Sequence, residues 1–362
     1  TWRETMYDVA ARLDPDSYYA LAFATYKEMA LAGITAVGEF HYVHHNRNGT
    51  RYQDPNEMGV VLVQAARDAG LRIALLDTCY LSSGSGKRPE GVQLRFSDGD
   101  ADTWAERVWG LAATIDDGDN EVVVASAIHS VRAVPREFLA PVANALPDRP
   151  LHIHLSEQVA ENEECGRHYG CTPTELLAEE GVLGDRLTAV HATHLTNSDI
   201  ALLGKSSAYV AFCPTTERDL ADGIGPSRAL SSAGARLTLG SDSQAVIDMH
   251  EEMRAVELDS RLASQQRGHW RADELLTAAT QTGHESLGFA DAGCIAPGQW
   301  ADLVTIDTST PRTAGTGRSE ETIVFAATAA DITSVVASGR TLERDHDAVG
   351  RSLDAAIASL TN

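Results

Sequence analysis

The sequence predicts an α/β fold of the (β/α)8 TIM-type barrel class with a small β-domain appended, and three observations predict it. Short apolar runs rich in β-branched residues recur seven times between residues 35 and 242, separated by helical patterns. Several of these runs end on a histidine or an acid. The 362 residues also exceed the ~250 typical of one barrel, which leaves room for a second element.

The strand-like runs cover residues 35–42, 72–80, 122–130, 151–157, 187–193, 208–216 and 236–242. Their near-continuous hydrophobicity is that of strands buried on both faces. Helical patterns cover residues 18–32, with Leu21, Tyr26 and Met29 apolar and Gly33 as a natural stop, then 56–69, 103–115, 249–262 and 272–282. Thr172-Pro173-Thr174-Glu175 joins a capping box to a proline at the first helical position. Strand then helix, repeated, fits a barrel or a doubly wound sheet. A closed barrel has eight strands and seven are legible, so the first is expected to lie outside this sequence. Trp2-Arg3-Glu4-Thr5-Met6-Tyr7 reads as a helix or loop following that strand.

Residues 1–290 are therefore expected to form the barrel without its first strand. The Gly-, Ser- and charge-rich stretch 82–102 is its longest loop and a candidate lid. Residues 291–362 carry a turn into a strand at 302–307 and a second strand-like piece at 332–342 with the turn Ser338-Gly339-Arg340. These are expected to be C-terminal strands of a small β-domain, followed by a terminal helix. The N-terminal part of barrel and β-domain alike is expected to be absent from this chain.

Composition removes several function classes. Lys and Arg number 29 against 52 Asp and Glu, a formal net charge of −23 that repels phosphate backbones and anionic membranes across a Debye length. Neither nucleic acid nor membrane is expected as a partner. The five cysteines, Cys79, Cys165, Cys171, Cys213 and Cys294, are scattered and form no C-x-x-C pair, which suits reduced thiols in a cytosol. No apolar run approaches the ~18 residues of a membrane span and no signal peptide is legible, so a soluble cytoplasmic protein is expected.

The strand ends carry the candidate chemistry. His129, His154, His191 and Asp242 fall at the C-terminal ends of runs, the rim where barrel enzymes keep their active sites. A hydrolytic zinc takes nitrogen and oxygen ligands, lowers the pKa of bound water to about 7 and keeps one position open. His154 and Asp242 suit ligation. Side chains alternate along a strand, so His152 faces the same side as His154 and competes with it by geometry. Glu157 would lie just past the strand end, where a carboxylate can shuttle a proton between attacking water and leaving group. One histidine at a strand end is more often a hydrogen-bonded core residue than a ligand. Four such positions together read as a metal-dependent hydrolase.

His154-x-x-Glu157, His191 and Ser241-Asp242, closed by Pro297-Gly298-x-x-Ala301-Asp302-Leu303-Val304, together resemble the amidohydrolase superfamily over essentially the whole chain. Within it, four segments are similar to the formimidoylglutamate deiminases of histidine degradation: Trp2-Arg3-Glu4-x-Met6-Tyr7, Gly38-Glu39-Phe40-His41-Tyr42-x-His44-His45, His129-Ser130-Val131-Arg132 and His152-Ile153-His154-Leu155-Ser156-Glu157-Gln158. The resemblance implies a barrel with a small β-sandwich, a homodimer, and one Zn2+ per chain, with Fe2+ or Mn2+ as alternatives. It implies that His154 and Asp242 hold the ion together with a His-x-His pair on the first barrel strand, a pair not found at the start of this sequence. His191 and Asp242 would activate water and Glu157 would protonate the leaving nitrogen, turning N-formimino-L-glutamate into N-formyl-L-glutamate and ammonia.

That substrate is a dicarboxylate, so local arginines must overcome the global charge, and a bidentate guanidinium suits the task. Arg3 and Arg132 are the expected grips, with Tyr42 and His129 as supporting donors. Arg88 and Arg95 are secondary candidates for the same task, read as solvated, and Trp2, Trp104, Trp109, Trp270 and Trp300 are read as packing residues.

Two other readings compete. An aminohydrolase acting on a purine, pterin or adenosyl compound would want aromatic stacking, yet aromatics make up 6% of the chain and only Tyr42 and Tyr80 sit at strand ends. A catalytically silent barrel acting as a binding protein is motivated by the missing first-strand histidines. No Pro-Cys-x-x-Cys ligand motif and no Gly-x-Ser-x-Gly elbow is present.

Overall fold

The structure is a computed structural model that describes residues 2–115 and 120–361, with side chains from Thr5 onward. The chain divides into two compact units, one of Thr1–Ala30, Ala36–Leu151 and Glu343–Asn362, the other of Leu31–Thr35 and His152–Leu342.

In the first unit, β1 (Ala36–His41), β2 (Arg72–Cys79) and β3 (Val122–Ile128) pair in parallel, with His41 opposite Asp77 and Cys79 opposite Ile128. Every residue of β2 is buried, as its unbroken apolar run demands. The crossover helices are Glu57–Ala69 and Ala101–Ile115. The first stops at Gly70, where a φ of 86° lets the amide reach back to the carbonyls of Ala66 and Arg67. The C-terminal helix His346–Thr361 belongs to this unit, and Arg12 Nη1 donates to the carbonyl of Leu360 at 2.8 Å.

The second unit holds β4 (Leu151–Leu155) from His152 onward, β5 (Leu187–His191), β6 (Tyr209–Phe212) and β7 (Arg236–Leu239). β5, β6 and β7 pair in parallel, Thr188 opposite Tyr209 and Tyr209 opposite Arg236. Thr172 caps the helix Pro173–Glu179 through the expected capping box, its hydroxyl accepting from the Glu175 amide. A separate antiparallel sheet has the order β10 (Arg340–Thr341), β9 (Ile332–Ala337), β8 (Leu303–Ile306). The β9–β10 hairpin turns on Ser338 and Gly339, both at positive φ (49° and 75°), the pattern of a type I′ turn.

The α/β class and the seven strands agree with the sequence expectation; most runs end a residue or two from their expected bounds, and three departures bear on the site or its scaffold. The run 208–216 is a strand only to Phe212, because Pro214 opens the helix Pro214–Asp219 and takes Thr215 and Thr216 with it. The run 236–242 leaves the sheet at Leu239, which frees Asp242 from strand alternation. The helical pattern 272–282 is two helices, Ala272–Ala279 and Gln281–Ser286, broken where Thr280 takes φ −119° and ψ −91°. No helix among the described residues is long and apolar enough to cross a membrane.

Candidate active site

Three segments of the second unit carry the candidate hydrolytic groups, and each turns sharply as it leaves its strand. Ser156 after β4, His191 at the end of β5 and Asp242 after β7 have φ of 51°, 68° and 47°. Left-handed backbone at non-glycine residues is costly and persists where surrounding structure enforces it. Here the Ala192 amide bonds the Leu155 carbonyl and the His194 amide bonds the Ser156 carbonyl, both at 3.0 Å, lacing the end of β5 to that of β4.

His154 is half-buried, and its ring stacks on that of His191 with centroids 5.8 Å apart and planes 18° from parallel. The buried His191 presents Nε2 to Asp242 Oδ2 at 3.7 Å and Nδ1 to Glu217 Oε1 at 3.3 Å. Burial alone would push His191 down, but the bond to Glu217 and the charges of Asp242, Glu157 and Glu217 lift it to about 9. Glu157 is half-buried just past β4 and acts on His191 through its charge. The Asp242 carboxylate is one-third exposed and accepts no hydrogen bond from any described residue. Thr216 holds the Asp242 turn: its Oγ1 accepts from the Ser243 amide at 3.1 Å, lies 2.9 Å from Ser243 Oγ and sits 3.3 Å from the Ser241 carbonyl.

His152, the geometric competitor of His154, is committed elsewhere. Its Nε2 lies 3.0 Å from the Ser286 carbonyl, and burial pushes the ring down to about 4. The residues whose chemistry fits a zinc ion are thus the half-buried His154 and the partly exposed Asp242, an imidazole and a carboxylate. Two tighter groupings offer donor atoms within 4.8 Å of one another, His41 with His44 and Asp77, and His191 with Cys213 and Glu217. Hydrogen bonding accounts for both. Asp77 is gripped by Arg107 and by Trp104 Nε1, while Glu217 Oε1 accepts from the Cys213 amide at 2.9 Å.

The expected substrate groups lie in the first unit. The Tyr42 ring sits edge-on to Phe96 at 5.2 Å and tilts 72° to His129 at 5.7 Å. Tyr80 meets His129 edge-on at 5.0 Å, and Gln93 Nε2 donates to the hydroxyls of Tyr7 and Tyr80, each at 3.2 Å. Tyr42 and Tyr80 are the strand-end aromatics expected from the sequence, and Tyr7 from the first helix and Phe96 from the long loop join them in one aromatic group. Arg132 is half-buried three residues past His129 and makes no hydrogen bond or ion pair with any described residue. The side chain of Arg3 lies outside the described residues.

Two expectations are corrected here. Arg95 is fully buried rather than solvated, because the loop folds back so that its guanidinium donates to the carbonyls of His45 and Ala10. Trp109 is 51% exposed rather than packed, and its indole N–H reaches the Ala145 carbonyl. Sequence reading also missed Glu217, which directly follows the run 208–216 taken for strand. The signal was available in Pro214, which marks a helix start and places an acid within its first turn.

A strand-and-helix scaffold with histidines and acids at the strand ends is that of metal-dependent hydrolases. The chain belongs to the amidohydrolase family, whose sequence pattern matches residues 1–342. It is 36% identical over 321 residues to formimidoylglutamate deiminase of Pseudomonas aeruginosa, covering 86% of this chain and 70% of that one. It is 30% identical over 341 residues to 5′-deoxyadenosine deaminase of Methanothermobacter thermautotrophicus, covering 92% and 73%. An amidohydrolase from Brucella melitensis superposes with a TM-score of 0.92 at 31% identity, over 100% of this chain and 82% of that one. An adenosine deaminase from Xanthomonas campestris, solved with bound zinc, shares the fold with a TM-score of 0.83 at 24% identity, over 99% and 79%. Such names describe hydrolysis of C–N bonds.

Proposed function

We propose that the chain hydrolyses the formimino group of N-formimino-L-glutamate, releasing ammonia and N-formyl-L-glutamate. The observation that carries the choice of substrate is Arg132, a half-buried guanidinium uncommitted among the described residues in a chain of net charge −23. A cation left in that state suits a carboxylate ligand. The deiminase of Pseudomonas aeruginosa supports the same reading.

In this reaction His154 and Asp242 would hold zinc, which lowers the pKa of a water molecule to about 7 when bound. Asp242 and His191, the latter in the neutral form that a cation held beside it would favour, would take the proton of the attacking water. Glu157 would deliver a proton to the departing nitrogen as the C–N bond breaks. Tyr42, His129, Arg132 and Arg3 would bind the glutamate carboxylates. The protein is further proposed to act as a homodimer.

A second reading draws on a specific feature, the aromatic group of Tyr7, Tyr42, Tyr80 and Phe96 beside His129, which would suit a flat adenosyl compound. Ammonia assays on a full-length, zinc-loaded preparation separate the two. Release from N-formimino-L-glutamate, lost on chelation and absent with 5′-deoxyadenosine, is the expected result. Turnover of the nucleoside alone would overturn the proposal, and no turnover of either would favour the silent barrel.

A further inference from the structure

Glu217 lies behind His191, on the side opposite Asp242, and is 4% exposed. Its Oε1 is fixed by the Cys213 amide at 2.9 Å and faces His191 Nδ1 at 3.3 Å. Cys213 and Glu217 flank Pro214, whose locked φ starts the helix that sets this carboxylate in place. Oε1 accepts from the Cys213 amide and so presents a lone pair, which makes the ring nitrogen facing it the donor. Whenever His191 is neutral, the hydrogen therefore sits on Nδ1 and the lone pair on Nε2, the nitrogen turned toward Asp242.

We infer that Glu217 is a positioning residue: it selects the Nδ1–H tautomer of His191 and so aims the Nε2 lone pair at the water to be deprotonated. The role rests on the hydrolytic reading of His191 given above. The left-handed backbone at His191 and Ala192 fixes where the ring hangs, and Glu217 fixes which of its two nitrogens is the base. Cys213 contributes its amide to the arrangement. The neighbouring Thr216 holds the Asp242 turn, so two consecutive residues of one helix brace the two groups proposed to activate water.

The test uses the full-length protein labelled with 15N-histidine, with the His191 signals assigned by their loss in His191→Gln. In wild type, spectra recorded where the ring is neutral are expected to show protonated Nδ1 and bare Nε2. Glu217→Leu is expected to shift His191 toward the Nε2–H form that free imidazole prefers. In the zinc-loaded enzyme the same change should lower kcat by about 10- to 100-fold while KM stays within about twofold. Glu217→Gln, which keeps size and acceptor oxygen, should fall between wild type and Glu217→Leu, and it serves where the leucine variant does not fold. An unchanged His191 tautomer in both variants overturns the inference, whatever their activity. If the tautomer shifts as expected but no formimino substrate is turned over, the substrate assignment fails and the role of Glu217 stands.

Discussion

The Arg107 guanidinium grips both carboxylate oxygens of Asp77, Nη1 to Oδ2 and Nη2 to Oδ1, each at 2.7 Å, with neither side chain more than 2% exposed. The same guanidinium reaches Asp98 through Nε and Nη2 at 3.0 Å, and Trp104 Nε1 adds a bond to Asp77 at 2.9 Å. Arg107→Met would remove the guanidinium from the buried Asp77 and leave Asp98 the longer guanidinium contact, to Arg51 at 3.7 Å. A loss of roughly 3–5 kcal/mol is expected, read as a lower midpoint in guanidinium chloride unfolding. A loss under ~1 kcal/mol would mean that water reaches the pair.

Glu39 on β1 accepts a hydrogen bond from Tyr26 Oη at 3.1 Å, and burial outweighs that bond, pushing the carboxyl up from 4.5 to about 7. Below pH 4.5 the group is protonated in folded and unfolded chains alike. Between 4.5 and 7 the folded chain retains the proton that the unfolded chain releases, so Glu39 makes stability fall as pH rises through this window and level off above it. Glu39→Gln should flatten that part of the curve, measured as unfolding free energy against pH. An unaltered slope would show that Glu39 ionises normally.

Gly204 and Gly166 offer opposite outcomes for one substitution. A methyl at Gly204 would collide with the carbonyl of Ala233 in the neighbouring helix Ser227–Ala233, so Gly204→Ala is expected to cost about 1–3 kcal/mol. Gly166, inside the helix Val159–Tyr169, meets nothing within 4 Å, and Gly166→Ala should add roughly 0.5–1 kcal/mol through helix propensity. Thermal unfolding of the two variants side by side checks both signs.

Under the proposed reaction, substitutions should separate binding from chemistry. Arg132→Ala is expected to raise KM for N-formimino-L-glutamate by about 10- to 100-fold with kcat little changed, the worth of a hydrogen bond to a charged partner. Glu157→Gln should lower kcat by roughly 10²–10⁴-fold with KM held. Steady-state ammonia release measures both, and a kcat effect confined to Arg132 would reverse the assignment.

The strands and the groups at their ends were legible because β4 and β5 are short apolar runs that stop on chemistry, His154 and His191. Long-range partnership was harder to read. Nothing local marks Arg107 as the counter-ion of Asp77, thirty positions earlier and on another element. Loop composition misled at Arg95, since a Gly- and Ser-rich stretch reads as solvated while backbone carbonyls from distant segments enclose the guanidinium. Apolar periodicity ran unbroken across Thr280 and concealed a helix break that only the dihedrals reveal. Glu217 escaped because it directly follows the run 208–216, whose β-branched residues suited a strand and hid the helix start at Pro214.

Ser156, His191 and Asp242 hold their side chains out from conformations that L-residues avoid, each at about 1–3 kcal/mol. A laboratory lineage selected for heat tolerance alone would find easy gains there, replacing these residues with glycine or asparagine and relaxing the backbone. The survivors would be tougher and idler, since the bends that weaken the fold are the ones that present its working groups.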